Sequence, residues 1–373
     1  MTARPLANSA IPSLDGIRAV AVALVFFAHS GLEHVVPGGL GVTIFFVLSG
    51  YLISTLMRVE FQSHGRIDFR GFYLRRFLRL MPPLTIIVAL TLLLSALSIV
   101  DAFAPNGLLA VLFYYGNYFV IAHDFQGVPA GMSVVWSLAV EEHFYLLYPP
   151  LAVMLLRIGR AGLSAKVLVS LCVAVLAWRC WLATHDASEN YISMATDTRI
   201  DAILIGCLLA LWKNPWLDRL APSNSTRDAA LIVGALALLF FTLGFRDEFF
   251  RMTFRYTLQS LATAVLLYFA IARSTSAPFT WLNSRPLMYV GGISYTVYLS
   301  HHLIIEALRD RFSDWGWAPI LLVSACMTLI IAEAMRRFVE QPCARLRKRL
   351  HKKPILNERT AAPIAPVASG GSL

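Results

Sequence analysis

Apolar runs of roughly 17–22 residues recur along the chain, broken by short polar or basic stretches, and at ~1.5 Å per residue each is long enough to cross a bilayer as a helix. The runs fall near 17–36, 39–57, 82–102, 135–156, 167–184, 200–212, 228–245, 256–272, 288–308 and 318–335. A further run, 107–122, is short and contains Tyr114, Tyr115, Asn117 and Tyr118. If it crossed fully, Arg157, Arg160 and Lys166 would fall on the outer side. Read as a re-entrant or outer-face segment, it leaves ten spans, both termini cytoplasmic, and most Lys and Arg on the inner side, as the positive-inside rule requires. The pattern therefore predicts an all-α, polytopic transmembrane helix bundle.

Composition agrees with the pattern. Hydrophobic residues make up 57% of the 373 and charged residues 14%, against about 25% charged in a soluble domain. The mean hydropathy of +0.64 excludes a soluble globular protein. The net charge of +10 reads as inner-side loops rather than as a nucleic-acid surface, and no nucleic-acid partner is expected. With Arg4 ahead of it and no small-residue cleavage site, the first run reads as an uncleaved helix. The five cysteines (Cys172, Cys180, Cys207, Cys326, Cys343) are scattered without a CxxC pair, so neither a disulfide framework nor a metal site is expected. No internal repeat of the transporter kind is evident, and the last twenty or so residues read as disordered.

Ionisable residues inside apolar runs are costly and serve as functional hypotheses by default. Arg18 and His29 lie eleven residues apart, which returns them to within about 20° of one helix stripe, roughly 16 Å apart along the axis. Glu33, one turn on, is a candidate orienter of the imidazole. The plain alternative is a buried histidine bonded to a neighbouring helix. In WSLAVEEHFYLLYP (136–149), Glu141, Glu142 and His143 lie in the outer half of a span. Glu141 is expected about 9 Å deep, in the layer of His29, where a carboxylate beside an imidazole builds a base for a hydroxyl. In the loop RGFYLRRFLRLMPP (70–83), Arg70, Arg75, Arg76 and Arg79 crowd before Pro82-Pro83. Such a cluster suits a phosphorylated ligand, or simply sets topology and touches anionic lipid. Asp197, Arg199 and Asp201 read as an ion-paired cap facing an outer vestibule. Ser49 and Gly50 in FFVLSGYLIS read as a close helix-packing site. His301 and His302 point in different directions on a helix, which argues against a metal pair. No GxSxG, HExxH, Walker or Rossmann signature is present.

Seven pieces occur together in order over about residues 13–342: SLDGIRAVAVALVFFAHS, GVTIFFVLSGYLIS, YLRRFLRLMPP, WSLAVEEHFYLLYP, RIDAILIG, ISYTVYLSHH and VEQP. With them the chain resembles the acyltransferase-3 family, bacterial integral membrane enzymes that O-acylate surface glycans, nodulation factors or antibiotics. The resemblance implies that Arg18 and His29 are the essential Arg–His pair and that Glu141 acts with them in catalysis. It implies acyl-CoA, first of all acetyl-CoA, as donor at the cytoplasmic face, held by Arg76 and Arg79 with Arg75 and Arg70 beside them. Trp136, Glu142, Arg199, Asp201 and His301 would meet the acceptor. The pattern departs at Thr43, where the family frequently has Asp, at His143, where Gln is frequent, and at Ser300-His301-His302, where WHW is common. No SGNH-type domain is appended, so the stand-alone form is expected.

The reading is thus an acyl-CoA-dependent O-acyltransferase in the bacterial cytoplasmic (inner) membrane, acting on a carbohydrate hydroxyl such as an exopolysaccharide, O-antigen or lipid-linked sugar. Residues 1–342 form the transmembrane acyltransferase domain and 343–373 a basic, then disordered, cytoplasmic tail. Membrane lipids are the other expected partners. The rival is a multi-pass transporter or flippase for a polar solute, which would not consume acyl-CoA.

Overall fold

The computed structural model describes residues 11–218 and 224–350, and these are all-helical, with no strand among them. Ten long helices carry the bundle: α1 Leu14–Phe27, α2 Gly38–His64, α3 Phe69–Ala96, α4 Trp136–Arg157, α5 Ala161–Ala183, α6 Thr196–Trp212, α7 Ser225–Gly244, α8 Phe254–Ala272, α9 Ser294–Arg311 and α10 Trp317–Met335. Each matches one predicted run. Seven are long and apolar enough to cross a membrane on those grounds alone. The other three, α4, α6 and α9, hold Glu141 and Glu142, Arg199 and Asp201, and His301 and His302.

Helix α6 lies at the centre, against α2, α5, α8 and α4. Its contact with α2 is the closest: a Cβ on Gly50 would stand 1.9 Å from the Ile203 carbonyl oxygen, and one on Gly206 would stand 2.1 Å from that of Val47. Gly50 is thus the close-packing position its sequence context suggests. The core alternates Phe46, Val140, Phe144, Ile203 and Val297 between these helices. At the periphery Phe240, Ile330 and Leu322 turn outward, each about two-thirds or more exposed, an apolar girdle suited to lipid rather than water.

Several predicted boundaries move. The basic stretch 70–83 is helix, not loop: Asp68 accepts a hydrogen bond from the Gly71 amide at 3.0 Å and starts α3, which runs through Pro82 and Pro83. The prolines cost two backbone donors within the helix, and the Thr85 hydroxyl bonds the Met81 and Pro82 carbonyls in their vicinity. The run 288–308 is divided after a short helix, Arg285–Gly292, from α9. Run 107–122 becomes two eight-residue helices, Pro105–Leu112 and Gly116–His123. At about 12 Å each they are too short to cross a membrane, in line with a segment that does not span. After α1 the chain makes one wider turn, Ala28–Leu32, closed by Gly31 at φ 102°, and this turn carries His29. Residues 341–350 are helical, so the expected tail boundary at 343 falls inside a helix. The tail beyond 350, like Arg4, lies outside the described residues.

Candidate functional site

Two cavities within the bundle are lined by residues that the sequence singles out. The first, about 120 Å³, opens among Arg18, Arg76, Arg79, Ser49, Glu141 and Tyr145. Arg76 is locked in place: its guanidinium lies 3.3 Å above the Tyr145 ring centre and bonds Glu142 at 2.9 Å. Glu141, on the same helix, turns the other way, accepting from the Ser49 hydroxyl at 2.9 Å and from Tyr145 at 3.2 Å. Adjacent residues on a helix point about 100° apart, so the two carboxylates serve different partners. Arg18 pairs with Asp15 at 2.8 Å. Arg79 stands open to solvent beside them. Arg75 reaches Glu60 at 3.4 Å instead, and Arg70 is exposed; neither lines the cavity.

The second cavity, about 550 Å³, is lined by His29, Glu33, Trp136, Arg199 and His302 among others. Val42 and Tyr298 belong to the walls of both cavities. Tyr298 is held between them, its hydroxyl 2.7 Å from that of Ser137 and donating to the Val134 carbonyl at 2.9 Å.

The hydrogen bonds of His29 fix its tautomer. His301 is fully buried, and its Nδ1 lies 2.7 Å from the Tyr298 carbonyl and 3.2 Å from that of Val297. Carbonyls only accept, so the His301 proton is on Nδ1 and its Nε2 carries a lone pair. That lone pair faces Nδ1 of His29 at 3.2 Å, and the Val25 carbonyl faces the same atom at 3.0 Å. His29 Nδ1 therefore carries the proton, and the remaining nitrogen, Nε2, is a bare lone pair on a ring that lines the second cavity. This is the electronic state a general base needs. His302 completes the cluster: its ring stands edge-on to His29 with centres 4.7 Å apart, and its Nδ1 lies 2.9 Å from a carboxylate oxygen of Glu306.

Other expected pairings are not formed. Glu141 does not meet His29; the two line different cavities, and neither Glu141 nor Glu33 bonds the imidazole. Glu33 lies 3.8 Å from His34 instead. The ion-paired cap is also absent. Asp201 is fully buried in a two-pronged bond with Arg179 at 2.7 and 3.2 Å, reinforced by Thr257, and lines neither cavity. Asp197 accepts from Trp178 at 2.7 Å and Tyr191 at 3.1 Å. Arg199 is held by the Ser193 carbonyl at 2.7 Å, the Thr43 hydroxyl at 3.2 Å and the Tyr256 ring at 4.0 Å. Of the residues expected to meet an acceptor, Trp136 and Arg199 line the second cavity, whereas Glu142 supports Arg76 and His301 backs His29.

The acyltransferase domain family model matches residues 11–336. The chain belongs to the acyltransferase-3 family. It is 32% identical to the peptidoglycan O-acetyltransferase OatA of Listeria monocytogenes over 357 residues, covering 89% of this chain and 55% of that protein. Over 350 residues it is 33% identical to the putative peptidoglycan O-acetyltransferase YrhL of Bacillus subtilis, covering 89% and 54%. A putative O-acetyltransferase of Staphylococcus aureus strain COL is 30% identical over 354 residues, covering 89% and 57%. The chain thus spans about half the length of these curated relatives. No solved structure matches it.

In this acyltransferase-3 chain, sequence reasoning passed over two contributors. Ser49 was read for its size, yet its hydroxyl holds Glu141. The His302–Glu306 pair is spaced i, i+4 on α9, a signal legible in the sequence.

Proposed function

We propose that the protein is an acyl-CoA-dependent O-acyltransferase that moves an acyl group, acetyl in the first instance, from the cytoplasmic side to a carbohydrate hydroxyl on the other side of the membrane. The observation that carries this reading is the pair of cavities that share Val42 and Tyr298 in their walls, one lined by Arg18, Arg76 and Arg79 and the other by His29. Family membership and the O-acetyltransferase relatives support the reaction class. The peptidoglycan named for two of those relatives makes an acetylatable cell-wall sugar the first acceptor to try.

In this scheme both termini and the Arg18 end of the bundle face the cytoplasm. Arg79 and Arg76 hold donor phosphates through forked hydrogen bonds, and the thioester arm extends past Tyr298. The acceptor hydroxyl sits in the larger cavity against His29 Nε2. As the hydroxyl oxygen attacks the thioester carbonyl, Nε2 takes its proton. The C–S bond then breaks, and the proton passes to the departing thiolate. His301 keeps His29 in the accepting tautomer. Glu141 does not touch the imidazole, and its place in the scheme is to hold the wall between donor and base through Ser49 and Tyr145.

The test uses membrane vesicles exposing the cytoplasmic face, labelled acetyl-CoA and a host extract of glycans and lipid-linked sugars. Base-labile label is expected with the natural chain. With His29→Ala it should fall by at least the roughly hundredfold that general-base catalysis supplies, while the protein remains in the membrane. Activity retained in that variant would remove His29 from the mechanism. No label in the natural chain, with longer acyl-CoAs also tried, would favour the transport reading.

A further inference from the structure

The wall of the larger cavity is strongly asymmetric in charge. Arg199, Arg255 and Arg309 line it with His29 and His302, and the carboxylate lining it is Glu33. None of the three arginines has a carboxylate within salt-bridge distance among the described residues. Arg255 bonds the Tyr256 hydroxyl at 3.0 Å. Arg199 is the telling member, because it is only 2% exposed and its Nε has no hydrogen-bond partner.

A buried guanidinium is expensive unless an anion meets it. The carboxylates nearest in sequence are both committed elsewhere, Asp201 to Arg179 and Asp197 to Trp178 and Tyr191. On the facing helix α2 the residue that meets Arg199 is Thr43, a neutral hydroxyl. The fold spends one aspartate on neutralising Arg179 and leaves Arg199 uncompensated beside an open cavity.

We infer that this cavity is an anion-binding acceptor site, in which Arg199, Arg255 and Arg309 receive a carboxylate or phosphate carried by the sugar whose hydroxyl faces His29. The inference rests on the reading of the cavity as the acceptor's. It adds that the acceptor is acidic, with Arg199 held over the Tyr256 ring at 4.0 Å and near that of Trp136 at 5.7 Å. Carboxylate and phosphate share the chemistry of oxygen pairs matched to a guanidinium fork.

The experiment is calorimetric titration of the full chain in detergent with a hexuronate-containing disaccharide, the methyl ester of that disaccharide and a disaccharide phosphate. At least one charged sugar should bind tenfold or more tightly than the ester. The identity of that sugar separates carboxylate from phosphate. Thr43→Asp, which supplies Arg199 with an internal anion, and Arg255→Gln should each lower the charged sugar's affinity and bring the ratio towards one. Equal binding of acid, phosphate and ester, no binding of any, or a ratio that survives both variants would overturn the inference. Labelled acetyl transfer measured on the same samples separates the two readings. Charge preference without transfer would sink the acyltransfer reading alone, and transfer that uses acid and ester equally would sink the anion site alone.

Discussion

The tautomer of His29 is set by one acceptor four residues back on its own helix, the Val25 carbonyl, and by a second on α9, His301. An isolated imidazole exchanges its proton between two nitrogens, and only one of the two forms aims a lone pair at the cavity. The Val25 carbonyl, 3.0 Å away, and the lone pair of His301, 3.2 Å away, remove that choice together by both facing Nδ1 of His29. His301→Phe keeps a ring of similar volume and deletes one of the two acceptors that face Nδ1, leaving the Val25 carbonyl. If His301 is a positioning residue, kcat should fall by up to roughly hundredfold, the lower end of what base catalysis supplies, with the acceptor KM little changed. A rise in KM with kcat preserved would make His301 a binding residue instead. Steady-state kinetics on vesicles separates the two outcomes.

At the scale of helices, α2 and α6 come close enough for backbone to touch backbone at Gly50 and Gly206. Replacing glycine by alanine inside a helix ordinarily gains about 1 kcal/mol. Gly50→Ala should do the reverse, since the new Cβ would stand 1.9 Å from the Ile203 carbonyl oxygen. The expected net loss is roughly 1–3 kcal/mol, the usual cost of overpacking, read as a lower unfolding temperature in detergent. Gly234→Ala on α7 is the control, for nothing lies within 4 Å of its Cβ, and it should be neutral or slightly stabilising. A stabilised Gly50→Ala protein would show that the two helices have room to separate.

At the scale of the whole molecule, the proposed transfer requires the two cavities to communicate without becoming a leak. Tyr298 stands where their walls meet, fixed by Ser137 and the Val134 carbonyl. Water reaching a bound thioester would hydrolyse it, so a site of this kind gains from a closed partition. Tyr298→Ala removes the ring from that partition. The variant is expected to hydrolyse acyl-CoA several-fold faster when no acceptor is present, measured as free thiol released per unit of protein. An unchanged background rate would mean that the partition lies elsewhere.

The sequence by itself determined the architecture and the inventory of unusual residues. Span length and apolarity are local properties, so each of the ten runs reappears as a helix, and the ordered motifs marked Arg18, His29, Arg76, Arg79 and Glu141 before any fold was known. The partition of charges was decided only in three dimensions. In a low-dielectric interior a charge settles with whichever opposite group lies a few ångströms away. That distance depends on how helices are rotated and stacked, at about 100° per residue. Glu141 therefore faces Ser49 rather than His29, Glu142 faces Arg76, and Asp201 goes to Arg179 instead of Arg199. His29 is left with His301, and Arg199 is left facing a cavity, because tertiary packing sent the carboxylates elsewhere.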